Sequence, residues 1–519
     1  MSSSKPLILF MEGKGRICSQ KAGLKTDAFR TFTFKNHSFN MKKPILVMLM
    51  ALTVQAWFHT ATAQTTYDSQ NISFLSKWDN PAVPAEPNYG IRYNGIWGWN
   101  DGAGREYALI GSTGGVYFID VTNPLTPVVA DYVPGRRSGC IWREIKTYDH
   151  YAYLVSDDSP PNSLQIVDLQ YLPDSVHVVY DDNTLFERCH TIFVEDGLLY
   201  GGIVSGGSFA GSGIQGNMSV FDLSNPTNPV FLRSIKNDYP NLLPTNQVHD
   251  MYVRNDTIYA SSSFDGLFIF RYNRTTNNFV LLASLTSYPG QGYNHSSALT
   301  DDGQTLVFMD EVPNGLPVKV LDVSDLSNLT VTATFQSNPG PTPHNPFIVG
   351  NTCYIAYYQD GLQVYDVANP TNPVRLGYFD THNQTAMGGP YPSPAYQGAW
   401  GAYPYLPSGR VLVSDMQNGL FVLDPSAMFS GVNETVGGLS FTAYPNPVAN
   451  GSSVSISLPD FKAGNTYEVR MLSIDGRLVS QQAISTASAS ISTQGMAAGC
   501  YFVEVRSEAG TGIRKVIVE

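Results

Sequence analysis

The sequence predicts an all-β protein: a seven-bladed β-propeller closed by an N-terminal strand, followed by a small C-terminal β-sandwich. Three observations predict it. Only 14% of the 519 residues are charged, 12% are aromatic, and 46 Gly and 33 Pro punctuate the chain; that balance suits short strands and many turns. A segment of the form apolar-x-apolar-apolar-Asp occurs six times from Asp120 to Asp424, with one degenerate copy making seven, at a step of about 51 residues. The last copy lacks a closing strand, and a matching one stands ahead of the first.

In chain order, residues 1–43 hold a net charge of +7, which leaves −19 for residues 44–519. Met41-Lys42-Lys43, an apolar run over 44–58 and Ala61-Thr62-Ala63-Gln64 have the order of a secretory signal. Residues 41–63 are therefore expected to be a signal peptide cleaved before Gln64, and residues 1–40 an upstream extension, with translation starting at Met41. The apolar run is shorter than the roughly 20 residues a membrane span needs, so the mature chain is expected to have no transmembrane segment. Its acidic body excludes nucleic acid and anionic membrane surfaces as partners. Five cysteines with no CxxC spacing make neither a disulfide framework nor a zinc motif. Cys140 and Cys189 precede equivalent strands of adjacent units, leaving a disulfide and two buried thiols both open.

The repeat fills residues 64–424. Gly115-Val-Tyr-Phe-Ile-Asp120 is echoed by segments ending at Asp168, Asp222, Asp322, Asp366 and Asp424, with a degenerate copy ending at Arg271. Each unit reads as four strands. Asp265-Gly266, Asp360-Gly361 and Asn418-Gly419 supply tight hairpins between the second and third. Four strands repeated seven times, each unit burying its faces against its neighbours, is propeller arithmetic. The unit ending at Asp424 stops after three strands, and residues 71–79 match the missing fourth, so they are expected to close the ring. The repeated Asp, before Ser/Thr-Asn-Pro, suits a turn in which the carboxylate accepts backbone N–H groups. Residues 425–440 read as a linker. Beyond them, period-2 alternation at 454–458, 467–472, 489–492, 501–506 and 514–518 predicts the sandwich.

Two resemblances rest on these segments. Tyr444-Pro445-Asn446-Pro447, Asp475-Gly476-Arg477, Gly499-Cys500-Tyr501 and Arg514-Lys515-Val516 make residues 441–519 resemble the C-terminal sorting domain of the type IX secretion system. That resemblance implies export through the outer membrane, with the type IX machinery as partner of residues 441–519 and a secreted or cell-surface location. The repeat, together with residues 142–148 and 400–409, resembles the choice-of-anchor B family built on LVIVD repeats. It implies a propeller outside the cell and no established activity.

The site must come from the residues. His190, His249 and His344 each lie ten residues before a tyrosine (Tyr200, Tyr259, Tyr354), and His295 opens its unit equivalently. The same slot is assigned to Trp97, Arg143 and Trp400 in the first, second and seventh units. A residue opening the innermost strand faces the mouth of the central channel, so the four imidazoles are expected along one arc of it. Asp157, Asp158, Asp265, Asp310, Glu311, Asp360 and Asp415, at second-strand ends, and Trp142 are expected on the same face. The ligand-binding set is thus Trp97, Trp142, Arg143, Asp158, Asp265, Asp310, Asp360, Trp400 and Asp415. A concave mouth with aromatic walls and few polar groups suits a glycan, peptide or protein ligand. Imidazole is also a common transition-metal ligand, so the alternative is a divalent metal held by His190, His249, His295 and His344 in a lyase or hydrolase acting on polysaccharide. No GxSxG, HExxH or phosphate-binding glycine loop occurs.

Overall fold

Each repeat unit folds into one antiparallel sheet of consecutive strands. In the third, Ile192–Glu195, Leu198–Gly201, Ser219–Asp222 and Val230–Ser234 pair in that order. The fold is seen in a computed structural model describing residues 67–518, apart from 159, 383–390, 392–395, 431–434, 437–438, 440, 460, 463, 475 and 508–509. The expected signal peptide, the 1–40 extension and Asp475 lie outside the described residues.

Six sheets span 93–134, 143–182, 192–234, 250–285, 294–335 and 345–379, the sixth extended at its outer edge by Ser69–Gln70. The seventh takes Ala399–Tyr403, Val411–Asp415 and Gly419–Asp424 from the end of the repeat region. Its fourth strand, Ser73–Trp78, comes from the beginning, with Ser73 opposite Asp424 and Trp78 opposite Leu420. The first strands touch in a closed circuit: Tyr93–Asn100, Arg143–Tyr148, Ile192–Glu195, Asp250–Arg254, Asn294–Leu299, Asn345–Val349, Ala399–Tyr403 and back to Tyr93–Asn100. The architecture is a β-propeller.

The apolar cores lie between neighbouring sheets. Leu109, Phe118, Ile145 and Leu154 join the first sheet to the second; Ala356, Val364, Val413 and Phe421 join the sixth to the seventh; Ile96, Ile110, Leu412 and Val422 close the circle. Each fully buried Leu, Ile, Val or Phe contributes about 1.5–3 kcal/mol, and because that burial is radial the axis is left for a cavity. The hairpins follow their turn chemistry. Gly361 sits at φ +68, and a Cβ there would collide with the Phe379 carbonyl oxygen. The repeated Asp caps its own turn in all six copies. Asp120, Asp168, Asp222, Asp322, Asp366 and Asp424 each accept the backbone N–H two residues on, at 2.8–3.0 Å.

Part of the expected linker is structured, with a short helix at Ser426–Ser430 and a strand at Thr435–Val436. Beyond it, a five-stranded and a three-stranded sheet enclose their own core of Val454, Ile456, Val469, Met471, Val503 and Val516. Thr442–Tyr444 and Leu478–Ile484 add strands the alternation did not reveal. Asn446 pins the last strand, donating to the Lys515 carbonyl and accepting from the Ile517 N–H, both at 2.8 Å.

Candidate ligand site at the channel mouth

Strand pairing fixes which positions are equivalent. Lys146, Phe193, Tyr252, Ala298, Phe347 and Tyr403 face Tyr153, Tyr200, Tyr259, Val307, Tyr354 and Leu412. Three residues before each stand Arg143, His190, His249, His295, His344 and Trp400. In the first sheet Trp97 faces Leu109 and so belongs to the deeper row, while Asn94 holds the slot. Trp97 is thus displaced from its expected place at the mouth. It lines the channel instead, donating from Nε1 to Thr147 Oγ1 at 3.0 Å, edge-on to Tyr403 at 4.9 Å, with the Lys146 ammonium 4.3 Å from its ring.

The four imidazoles do form one arc. Ring centroids are 4.2 Å apart for His190–His249, 4.1 Å for His249–His295 and 4.4 Å for His295–His344, and Trp400 continues the series 4.7 Å from His344. Backbone carbonyls of the next blade hold the rings. Nδ1–H of His249 donates to the His295 carbonyl at 3.0 Å, and Nδ1–H of His344 to that of Trp400 at 2.5 Å, tautomers assigned from the acceptors. His190 differs: its Nδ1 donates to Asp157 Oδ2 at 2.6 Å, and Arg188 reaches the same oxygen at 3.3 Å.

These partners set the charges. Burial opposes charge on His190, but Asp157 outweighs it and the pKa is raised. Burial opposes charge on Asp157 too, and His190 and Arg188 outweigh it, so that carboxyl is lowered. Together they make an imidazolium–carboxylate pair. Burial pushes His249 and His295 well below the usual imidazole range, neighbouring imidazoles adding to it, and pushes His344 down to about 3. Burial also raises Glu311, against the hydrogen bond from Tyr358.

The arc stands between two cavities. The channel side, about 450 Å³, carries the deeper row with His295, His344 and Trp400. The mouth, about 480 Å³, is walled by Trp142, Phe264, Tyr293 and Tyr396 and floored by Asp157, His190, His249 and Glu311. Trp142 lines both, and Phe264 is 58% exposed at the rim. The other expected residues divide. Asp158 lines the mouth, its carboxylate accepting from the Ile141 N–H and Ser156. Arg143 spends its guanidinium on the Ser112 and Arg137 carbonyls.

Four carboxylates do not reach the mouth. Asp265 accepts from the Thr245 N–H and hydroxyl. Asp310 holds Lys319 at 2.6 Å, both wholly buried, with Tyr288 and the Gly292 N–H. Asp360 is shared by Ser337, Asn338 and Tyr391. Asp415 accepts from Thr381 and two N–H groups of its own hairpin. All four tie hairpins to neighbouring segments. Of the four histidines, His295 and His344 gather with Glu311, whose ligand atoms lie within 4.8 Å of one another; His190 is spent on Asp157 and His249 stands outside that group. Cys140 and Cys189 are separate buried thiols.

Sequence reasoning missed Arg188, Gln247 and Tyr293 at the mouth. A legible signal existed, since each lies two residues before an imidazole of the arc.

A β-propeller with a ligand-sized axial mouth and a separate C-terminal sandwich is the class these features define. Residues 442–519 match the secretion system C-terminal sorting domain, and residues 347–381 match the LVIVD repeat. The chain is therefore an LVIVD-repeat propeller carrying a type IX sorting domain, which indicates export to the cell surface or beyond. Among solved structures, it is similar to the β-propeller domain of Cps50 (Swd1) from Myceliophteria thermophila, at 10% identity over 68% of this chain and 99% of that one, TM-score 0.42. It is also similar to the computationally designed Ika8 protein, at 9% identity over 84% and 99%, TM-score 0.39. No curated protein matches the chain. Among the described residues no helix is long and apolar enough to cross a membrane.

Proposed function

We propose that this exported propeller is a binding protein that takes a glycan at the channel mouth, without turnover. The observation that carries the reading is the composition of that cavity: aromatic faces of Trp142, Phe264, Tyr293 and Tyr396 surround the polar floor of Asp157, His190, His249 and Glu311. Sugar rings offer hydroxyls beside C–H faces that pack on aromatic rings, and a cavity of about 480 Å³ is of the size that takes small ligands.

The test is a glycan array probed with the purified protein, followed by titration of the best binder. Trp142→Ala should weaken binding at least about tenfold, the loss typical of a central aromatic anchor, and Phe264→Ala, at the exposed rim, should weaken it less. Retention of peptides but no glycans, or unchanged affinity in both variants, overturns the reading.

A further inference from the structure

We propose that His295, His344 and Glu311 bind one first-row divalent cation at the junction of the mouth and the channel. The cation would form the floor of the glycan site, yet the inference stands on its own geometry and is tested with metal alone.

The donor set is placed for it. One ligand atom from each residue lies within 4.8 Å of the other two, and His295 Nε2 is 3.7 Å from Glu311 Oε2. Tetrahedral ligands at bond lengths near 2.1 Å stand about 3.4 Å apart, so rotamer adjustments of about an ångström close the set. His344 has the tautomer a ligand needs: with its Nδ1–H on the Trp400 carbonyl, Nε2 carries the free lone pair. Glu311 is oriented from behind, one oxygen accepting from the Tyr358 hydroxyl at 2.7 Å. Among the described residues, no Lys or Arg pairs with that nearly buried carboxylate.

A second observation comes from His295. It is 4% exposed, and its Nε2 stands 3.7 Å from Glu311 Oε2, beyond hydrogen-bond reach. Like its neighbours in the arc, it turns its other ring nitrogen toward the next blade's carbonyl, that of His344, which also accepts the Ser296 hydroxyl at 2.5 Å. That leaves the Nε2 of a buried imidazole facing a carboxylate, with a second imidazole beside them, as in a metal-ligand set. Two imidazoles and one carboxylate with positions open to a cavity suit Zn²⁺, Fe²⁺, Mn²⁺ or Co²⁺.

The experiment strips the full protein with chelator and titrates it with Zn²⁺ by calorimetry and with Co²⁺ by visible absorption. One site per chain is expected, with d–d bands from bound cobalt. Glu311→Gln, nearly isosteric, and His344→Gln should each weaken Zn²⁺ at least about tenfold and abolish the bands. His177→Gln, an exposed histidine on the outer strand His177–Asp182 of the second sheet, should leave Zn²⁺ affinity within about threefold. Absence of stoichiometric binding, or Glu311→Gln and His344→Gln folding normally with unchanged affinity, overturns the proposal. Trp142→Ala separates the two readings: loss of glycan with zinc retained leaves the cation site standing, whereas glycan binding by a chain that takes no metal removes the cation alone.

Discussion

At the scale of single residues, the arc of imidazoles shows one side chain in two roles. His249 and His344 are neutral struts between blades, whereas His190 is the cation of a buried pair. That pair gives a pH signature. His190 is raised above its ordinary 6.5, so its contribution is full below 6.5 and fades as pH rises through the folded value. Asp157 is lowered below 3.8, so its contribution is full above 3.8 and fades as pH falls through its folded value. The stabilisation is therefore a plateau between about pH 4 and 6.5 that falls away on both sides. Replacing His190 by Gln should cost roughly 1–3 kcal/mol on that plateau, Arg188 retaining part of the Asp157 charge balance. Denaturation midpoints of the two proteins measured from pH 3 to 9 should converge at both ends; a constant gap would refute the pair's charged state.

Which residues reach the axis was only partly legible. The spacing of ten from imidazole to tyrosine holds where strands run regularly. It fails in the first sheet, where Leu109 replaces the tyrosine and the strand shifts register between Tyr93 and Ile96, so that Trp97 drops to the deeper row. Strand-end carboxylates were harder still. Nothing along the chain says whether Asp310, which closes its strand, will turn to the axis or to Lys319 near the start of the next. Only the three-dimensional neighbourhood decides.

At the scale of elements, the strand Ser73–Trp78 matters most, and its place was readable because the repeat's last copy lacked a partner. It covers the open edge of Gly419–Asp424, while Leu75 and Trp78 pack against the core between the seventh and first sheets. A chain lacking residues 67–79 should lose about 3 kcal/mol or more, the burial of two large apolar side chains. It should also expose an unpaired edge prone to association. Chemical denaturation and light scattering check both, and an added peptide of residues 67–79 should reverse them. An unchanged midpoint would mean that the other six sheets hold the seventh unaided.

At the scale of the whole molecule, stability and destination reside in different parts of the chain. The sandwich encloses its own core, built from residues 439–518, and the propeller's cores lie between its sheets. Removing residues 442–519 should therefore leave the propeller's melting temperature within a few degrees. In a host with the type IX machinery, the shortened protein should stay inside the outer membrane. Cell fractionation decides; surface display of the shortened protein would assign export to another segment.

The partnership of first and last strands also orders events in time. Lys77 and Asn418, joined by a hydrogen bond across that boundary, are 341 residues apart. One half of the clasp leaves the ribosome long before the other has been made, so the bracelet can fasten only when nearly all of it exists. Until then the growing chain is a horseshoe with two bare tips, and a protein cut short between its first blade and the strand Gly419–Asp424 never becomes a ring.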